Sequence, residues 1–353
     1  MKTEEKMGFK KVFWTLILIS TFAINLQADY RDAYSMFFFN RAPSSRAIAL
    51  GNCYIAVEGD LDSYFFNPAG LANLDEMSVK YSYSSPLYVL DEANYNQVSF
   101  GYNFYQNFAG SINYNILSYG EQEITDEEGN TTDGVDSYTS NVNITIANAI
   151  SKDFSVGAGI NYFTENYSTN ANTAFFLDIG TIYKPSTNIF KDFTFGASIK
   201  NITFSIVDYD SSEEELPVIL KIGASNTFTP NLPQQIFEIT TMAEYQHVLN
   251  YEYRRGLNFG LEFGLAEMFY LRTGYYSHTI NDYDFDDNKE QLTELTYGFG
   301  VKLPLEEYVN FPIELQVDYA NLPHPEYYDE SNYSEIDNFN TLTIKLVWNQ
   351  LSK

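Results

Sequence analysis

From Met77 to the end of the chain, apolar and polar residues alternate with a period of two over runs far longer than a globular protein uses. Leu257, Phe259, Leu261 and Phe263 alternate with Asn258, Gly260 and Glu262. Leu295, Tyr297, Phe299, Val301 and Leu303 alternate with Thr296, Gly298, Gly300 and Lys302, and Leu342, Ile344, Leu346 and Trp348 with Thr343 and Lys345. Successive side chains of a strand point to opposite faces, so these are strands with one apolar and one polar face. The pattern predicts fourteen of them: 77–85, 96–105, 107–119, 138–150, 153–166, 173–184, 193–206, 217–229, 235–248, 254–265, 267–280, 292–304, 308–321 and 340–349. Most run to 10 residues or more. Globular strands average about five or six residues, while a strand crossing a bilayer needs about 9–11.

Two further features favour an all-β, transmembrane antiparallel barrel over a soluble sandwich. The predicted connections after even-numbered strands are mostly tight, as at Gln106, Ser151-Lys152 and Ala266. Those after odd-numbered strands are often long: 86–95, 120–137, 281–291 and 322–339. Short turns at one end and long loops at the other are the pattern of outer-membrane barrels. Tyr (30) and Phe (28) far outnumber Trp (2), which favours strands, and aromatics near strand ends such as Tyr102, Phe104, Tyr114, Tyr162, Tyr183, Tyr275 and Trp348 suit interfacial girdles. The mean hydropathy of −0.27 argues against a bundle of membrane helices, and alternating strands average to such a value.

The polar face carries Lys80, Asp178, Lys200, Lys221, Glu238, Glu244, Glu262, Arg272, Lys302, Glu314, Asp318 and Lys345. In a barrel these line the lumen. With both signs present, they form either a salt-bridged polar filling, the favoured reading, or a conduction pathway.

The N-terminus reads as a secretion signal over 1–28. Lys10 and Lys11 precede an apolar core from Val12 to Ile24, and Leu26-Gln27-Ala28 offers a small residue for cleavage. The core is short for a membrane span, and an uncleaved anchor is the alternative. A leading segment, 29–76, lacks strict alternation, and the barrel domain follows over 77–353.

The net charge of −27 excludes nucleic acid as a partner, since binding it needs a basic face. The acidity reads as solvated loops or as divalent-cation binding at the cell surface. Within 281–291, Asp282-x-Asp284-x-Asp286 resembles the opening of a calcium loop without its glycine and distal Glu, which makes calcium a weak candidate ligand and leaves no other cofactor expected. The lone Cys53 lies in an apolar run and reads as a small buried hydrophobe. His247, His278 and His324 are scattered, and neither a Gly-x-Ser-x-Gly elbow nor a phosphate-cradling loop is present, so no enzymatic chemistry is expected.

Segment 29–76 has the most distinctive wording: Ser45-Arg46-Ala47-Ile48-Ala49-Leu50-Gly51-Asn52-Cys53, an Asp-rich step from Asp60 to Ser63, then Asn67-Pro68-Ala69-Gly70-Leu71. Asn67 and Pro68 fit a helix start, and Gly70 permits close backbone approach. The run resembles the PorV/PorQ family, related to the long-chain fatty-acid transporter (FadL) barrels, which share an Asn-Pro-Ala motif in an N-terminal plug. The resemblance implies that 29–76 is a plug inside the barrel, with Arg46, Leu50, Gly51, Asn67, Pro68, Ala69 and Gly70 as its motif. It further implies a bacterial outer-membrane location and a role in type IX-like secretion or surface attachment of cargo, with secretion machinery or exported proteins as partners. The alternative is FadL-like passive transport of small hydrophobic solutes. A purely structural or adhesive surface barrel is the third reading. Two departures stand out: Asn52-Cys53 replaces a glycine and small residue, and the chain ends Trp348-Asn349-Gln350-Leu351-Ser352-Lys353 without a terminal Phe.

Overall fold

The computed structural model describes residues 42–74, 77–85, 93–105, 107–125, 131–167, 170–186, 192–207, 216–229, 237–250, 255–281, 289–306, 312–322 and 339–348. The secretion-signal reading over 1–28, and the calcium reading at Asp282, Asp284 and Asp286, lie outside these residues. Among the described residues no group of His, Cys, Asp and Glu could hold a metal ion.

The chain forms fourteen antiparallel strands: β1 (Met77–Ser85), β2 (Asn94–Tyr105), β3 (Phe108–Thr125), β4 (Thr131–Ser151), β5 (Phe154–Tyr167), β6 (Asn170–Tyr183), β7 (Phe193–Val207), β8 (Ile219–Phe228), β9 (Phe237–Val248), β10 (Arg255–Leu265), β11 (Phe269–Asn281), β12 (Lys289–Pro304), β13 (Ile313–Leu322) and β14 (Phe339–Trp348). Each pairs with its neighbours in sequence, and β1 closes the sheet against β14 from Met77↔Trp348 to Ser85↔Asn340. Ahead of the barrel come α1 (Ser45–Ala49), α2 (Ser63–Phe66) and a 3-10 helix (Pro68–Asn73). No helix among the described residues is long and apolar enough to cross a membrane.

The faces fall as the alternation predicts. On β4, Val142, Ile144 and Ile146 point outward and are exposed, while Asn141, Asn143 and Thr145 are buried. On β10 and β14, Leu257, Phe259, Leu261, Leu342 and Ile344 are outside, and Asn258, Glu262, Thr343 and Lys345 inside. A continuous exposed apolar surface of this kind has no place in water, and it marks the lipid-facing belt of an outer-membrane barrel. Six of the seven predicted girdle aromatics are exposed; Trp348 is half-buried.

The loops depart from the expected pattern in two places. The acidic stretch 120–137 is mostly strand: β3 runs on to Thr125 and β4 starts at Thr131, with register shifts at Ser118/Gly120 and Gln122/Ile124. Bulges absorb the residues that break alternation, so pairing continues where pattern alone suggested a loop. The loop lengths also follow strand parity less strictly: β5 and β6 are separated only by 168–169, while 184–192 separate β6 from β7.

Ile144 is 55% exposed near the middle of β4. Ile144→Arg is expected to destabilise the barrel by about 2–4 kcal/mol when folding into lipid vesicles is followed against urea. An unchanged midpoint would show that this face does not meet lipid.

Candidate functional site

The described part of the leading segment, residues 42–74, touches inward-facing groups around most of the barrel, from β2 and β3 through β6, β9 and β10 to β12 and β14, and these residues therefore lie within the lumen. Several inward glycines make room for it. A side chain at Gly274 would strike the backbone of Leu50 and Gly51, and one at Gly157 would strike Pro68 and Ala69. Gly51 and Asn52 both take left-handed backbone conformations, with φ of +64° and +59°. Asn is among the few residues besides glycine that adopt this region readily, so Asn52 can hold this turn.

The motif residues anchor this segment. Ser44 caps α1 by accepting from Ala47 N, and Ser45 N donates to Thr343 Oγ1 at 3.0 Å. Leu50 is fully buried, and Gly51 N donates to Thr296 Oγ1 at 3.1 Å. Asn67 starts the 3-10 helix as expected of a cap, its Oδ1 accepting from Ala69 N at 3.2 Å, with Pro68 in the first helical position. Its Nδ2 donates to Ile55 O at 2.8 Å and Thr181 O at 3.0 Å, tying the segment to β6. Ala69 is fully buried, and Gly70 packs where a side chain would strike Val57 O and Ser63. Cys53 is buried as expected; burial, then the Glu244 carboxylate, pushes its thiol well above the usual range, so it stays protonated.

The lumen charges divide into three groups. The largest joins segment to wall. Arg46 forms a two-pronged bond to Glu262, Nε to Oε2 at 3.0 Å and Nη2 to Oε1 at 2.7 Å, and its Nη1 reaches Asp60 Oδ2 at 2.9 Å. Glu262 also accepts from Arg272 Nε at 2.5 Å, and Arg272 Nη1 donates to Asp318 Oδ1 at 2.5 Å. Lys345 Nζ lies 3.3 Å from Asp60 Oδ2, and Lys80 pairs with Asp62. Four cations thus meet four carboxylates, and the cluster is neutral as a whole. In the second group, Lys221 pairs with Glu244 Oε1 at 2.8 Å, while Glu244 Oε2 accepts the Tyr54 and Ile55 amides at 3.0 Å each. In the third, Asp178 accepts from Asn161 Nδ2 at 3.0 Å and Asn201 N at 2.7 Å. The Lys200 ammonium sits 4.1 Å from the Phe65 ring centre. Lys302 stands apart, half-buried over the Tyr270 ring.

Toward the opposite end of β2, β3, β5 and β6 the lumen face turns apolar. Ala93, Tyr95, Leu117, Phe163, Ala174, Phe176 and Leu216 pack together, all buried. The sequence reading missed this cluster, although doublets that put an apolar residue on the polar parity were visible at Ile116-Leu117, Tyr162-Phe163 and Phe175-Phe176.

Among the described residues, the β7–β8 ladder beside the cluster is shorter than the β6–β7 ladder. β7 pairs with β6 up to Val207, but with β8 only up to Lys200↔Ile219. At the end of the β7–β8 ladder Asn201 adopts a φ of +59°, and its side chain donates to Pro217 O at 2.8 Å. The bulge reverses the parity of β7, leaving Phe204 63% exposed on the outside. Leu216, a member of the apolar cluster, immediately precedes Pro217.

Glu262→Gln keeps the shape but removes the charge that both guanidinium groups share. Removing one partner from a buried pair costs about 3–5 kcal/mol, so amide exchange over 44–57 is expected to accelerate by about 100-fold or more in folded barrels. Unchanged exchange would mean the cluster does not hold the segment. Asp60 supplies a pH dependence. Burial alone would raise its pKa, but Lys345, Arg46 and Lys80 outweigh it and hold the carboxyl well below the usual range. A depressed pKa contributes stability that is complete above the unfolded value of about 3.9 and lost as pH falls through the folded one. The same exchange measurement should find the segment equally protected at pH 7 and 5 and loosened only in stronger acid; loosening between 7 and 5 would contradict this assignment.

No protein-family model matches the chain, and no curated protein matches it in sequence. Solved structures match its fold. The P. putida toluene transporter TodX matches with a TM-score of 0.53 and 9% identity, over 86% of this chain and 98% of that one. A TodX deltaS2 mutant, described as a monoaromatic hydrocarbon channel, matches with a TM-score of 0.55 and 11% identity, over 88% of this chain and 98% of that one. The deltaS2S3 mutant gives 0.53 and 10%, over 86% and 97%. The chain therefore shares its fold with these TodX outer-membrane channels.

Proposed function

We propose that this protein passes small hydrophobic solutes passively across the outer membrane. The observation that carries the reading is the apolar cluster on the inner wall, placed next to the point where the β7–β8 ladder ends among the described residues. A lumen meant only to be filled can use the paired charges and amides found elsewhere in it. An apolar patch facing inward offers a solute the burial that drives its binding, at about 25 cal/mol per Å². Where the described residues of β7 and β8 form no ladder beyond Lys200, the wall offers a short route from that patch to the bilayer. The barrels it resembles in fold include a toluene transporter, which is in keeping with this reading.

The secretion-associated reading rests on the wording of the segment around Arg46 and Asn67-Pro68-Ala69-Gly70. In this fold those residues serve to seat the segment, a task any plugged barrel requires. We therefore favour transport over secretion.

Leu117→Asp puts a charge into the apolar cluster, while Leu117→Met keeps its character. Uptake of radiolabelled toluene by cells carrying the Asp variant is expected to fall at least tenfold, with the Met variant close to the parent. Equal uptake by all three would overturn the transport reading, as would loss of protein export with hydrocarbon uptake intact in a strain lacking the gene.

A further inference from the structure

Directly below the apolar cluster, one inward position further along each strand, lies a tier of uncharged amides. Tyr95 is followed by Gln97 on β2, Leu117 is preceded by Asn115 on β3, and Phe163 by Asn161 on β5. Gln97 pairs across with Asn115, Asn115 with Asn141, and Asn143 with Asn161. Part of the tier is internally bonded. Asn113 Nδ2 donates to Asn143 Oδ1 at 2.9 Å, Asn143 Nδ2 and Asn141 Nδ2 donate to Asn161 Oδ1 at 2.9 and 3.0 Å, and Asn161 Nδ2 donates to Asp178. The Tyr64 hydroxyl, from α2, closes the tier from below: it donates to Asn115 Oδ1 at 2.9 Å and accepts from Gln97 Nε2 at 2.8 Å. Burial, with Tyr95 nearby, pushes that phenol well above its usual range, so it remains a neutral donor.

The bonding is incomplete in one place. Gln97 Oε1, Asn113 Oδ1, Asn141 Oδ1 and Asn115 Nδ2 are buried and meet no hydrogen-bonding partner among the described residues. All four belong to β2, β3 and β4, at or next to the same level, and each of these residues is more than nine-tenths buried. Buried polar atoms are nearly always satisfied, so four on adjoining strands are a site with spare bonding capacity.

Resting on the transport reading above, we propose that the solute is an uncharged amphiphile, an aromatic or short aliphatic body carrying a hydroxyl, whose head seats on the Gln97–Asn113–Asn115–Asn141 tier while its body lies among Tyr95, Leu117, Phe163 and Phe176. A hydroxyl both donates and accepts, which matches a tier with three free acceptors and one free donor. A hydrocarbon leaves all four unsatisfied. A carboxylate finds four neutral amide groups at the tier itself, and the charged group bonded to the tier through Asn161 is another carboxylate, Asp178, whose nearby cation Lys200 is already engaged with it.

The test measures binding of p-cresol, p-xylene and p-toluate, which share size and shape, to the detergent-held full chain. A site built to bond a hydroxyl rejects the analogue lacking it by large factors, so p-cresol is expected to bind at least tenfold tighter than p-xylene, and p-toluate more weakly than p-cresol. Gln97→Leu with Asn115→Leu should abolish the preference for p-cresol. Asn141→Val alone should reduce it, and it stands in if the double variant does not give the heat-shifted band of a folded barrel. p-Xylene binding as tightly as p-cresol, p-toluate binding tightest, or a preference that survives both variants would overturn the proposal and leave hydrocarbon transport standing. Failure of all three compounds to bind would overturn the transport reading, and the hydroxyl preference with it.

Discussion

A strand in lipid has no water to satisfy its backbone, so every amide and carbonyl must find a partner in the sheet. The β1–β14 pairing, unbroken over nine residue pairs, meets that requirement, and the rest of the structure depends on it. Closure divides the side chains into an outward set that must be apolar and an inward set that must be filled. It also explains why the end of a ladder is informative. Among the described residues the β7–β8 ladder stops at Lys200, where a left-handed Asn201 and two of its hydrogen bonds hold the edges in place.

Filling the interior raises the second problem. A barrel of fourteen strands is too wide for its own side chains to close, and residues 42–74 of the leading segment occupy space inside it. Ion pairs to the wall hold the segment alongside buried apolar packing. Arg46, Lys80, Arg272 and Lys345 face Asp60, Asp62, Glu262 and Asp318, half of the carboxylates coming from the segment and half from the wall. Buried charges are costly one by one and tolerable only when paired, so the arrangement specifies one seating of the segment and penalises others. The inward glycines act to the same end by sterics: they leave hollows where the backbone of Gly51 and of Pro68-Ala69 fits.

Between the charged region and the far end of the barrel, the lumen changes character in two steps, from ion pairs to neutral amides to an apolar cluster. That gradient is what gives the interior the form of a binding site with a polar floor and an apolar body. It comes from residues that are hundreds of positions apart from the segment only in part; most lie on the neighbouring strands β2 to β6, where the hairpin registers bring them level.

The alternation in the chain by itself determined the strand number, most strand limits and which side chains meet lipid, because a period of two leaves no freedom about faces once a sheet closes. It also marked Asn67-Pro68 as a helix start and Cys53 as buried, since capping and burial are local properties. Only the tertiary structure decided the rest. Lys80, Glu262, Arg272 and Asp318 were legible as lumen charges, but their sharing of partners with Arg46, Asp60 and Asp62 depends on where the segment comes to rest. The strand character of 120–125 and 131–137 depends on bulges that let two irregular stretches pair. The apolar cluster was written in doublets such as Phe175-Phe176, yet a doublet does not say which neighbour faces inward or that Leu216, from outside the strands, joins it. Such facts arise from register and closure, which bring together residues that no local pattern relates.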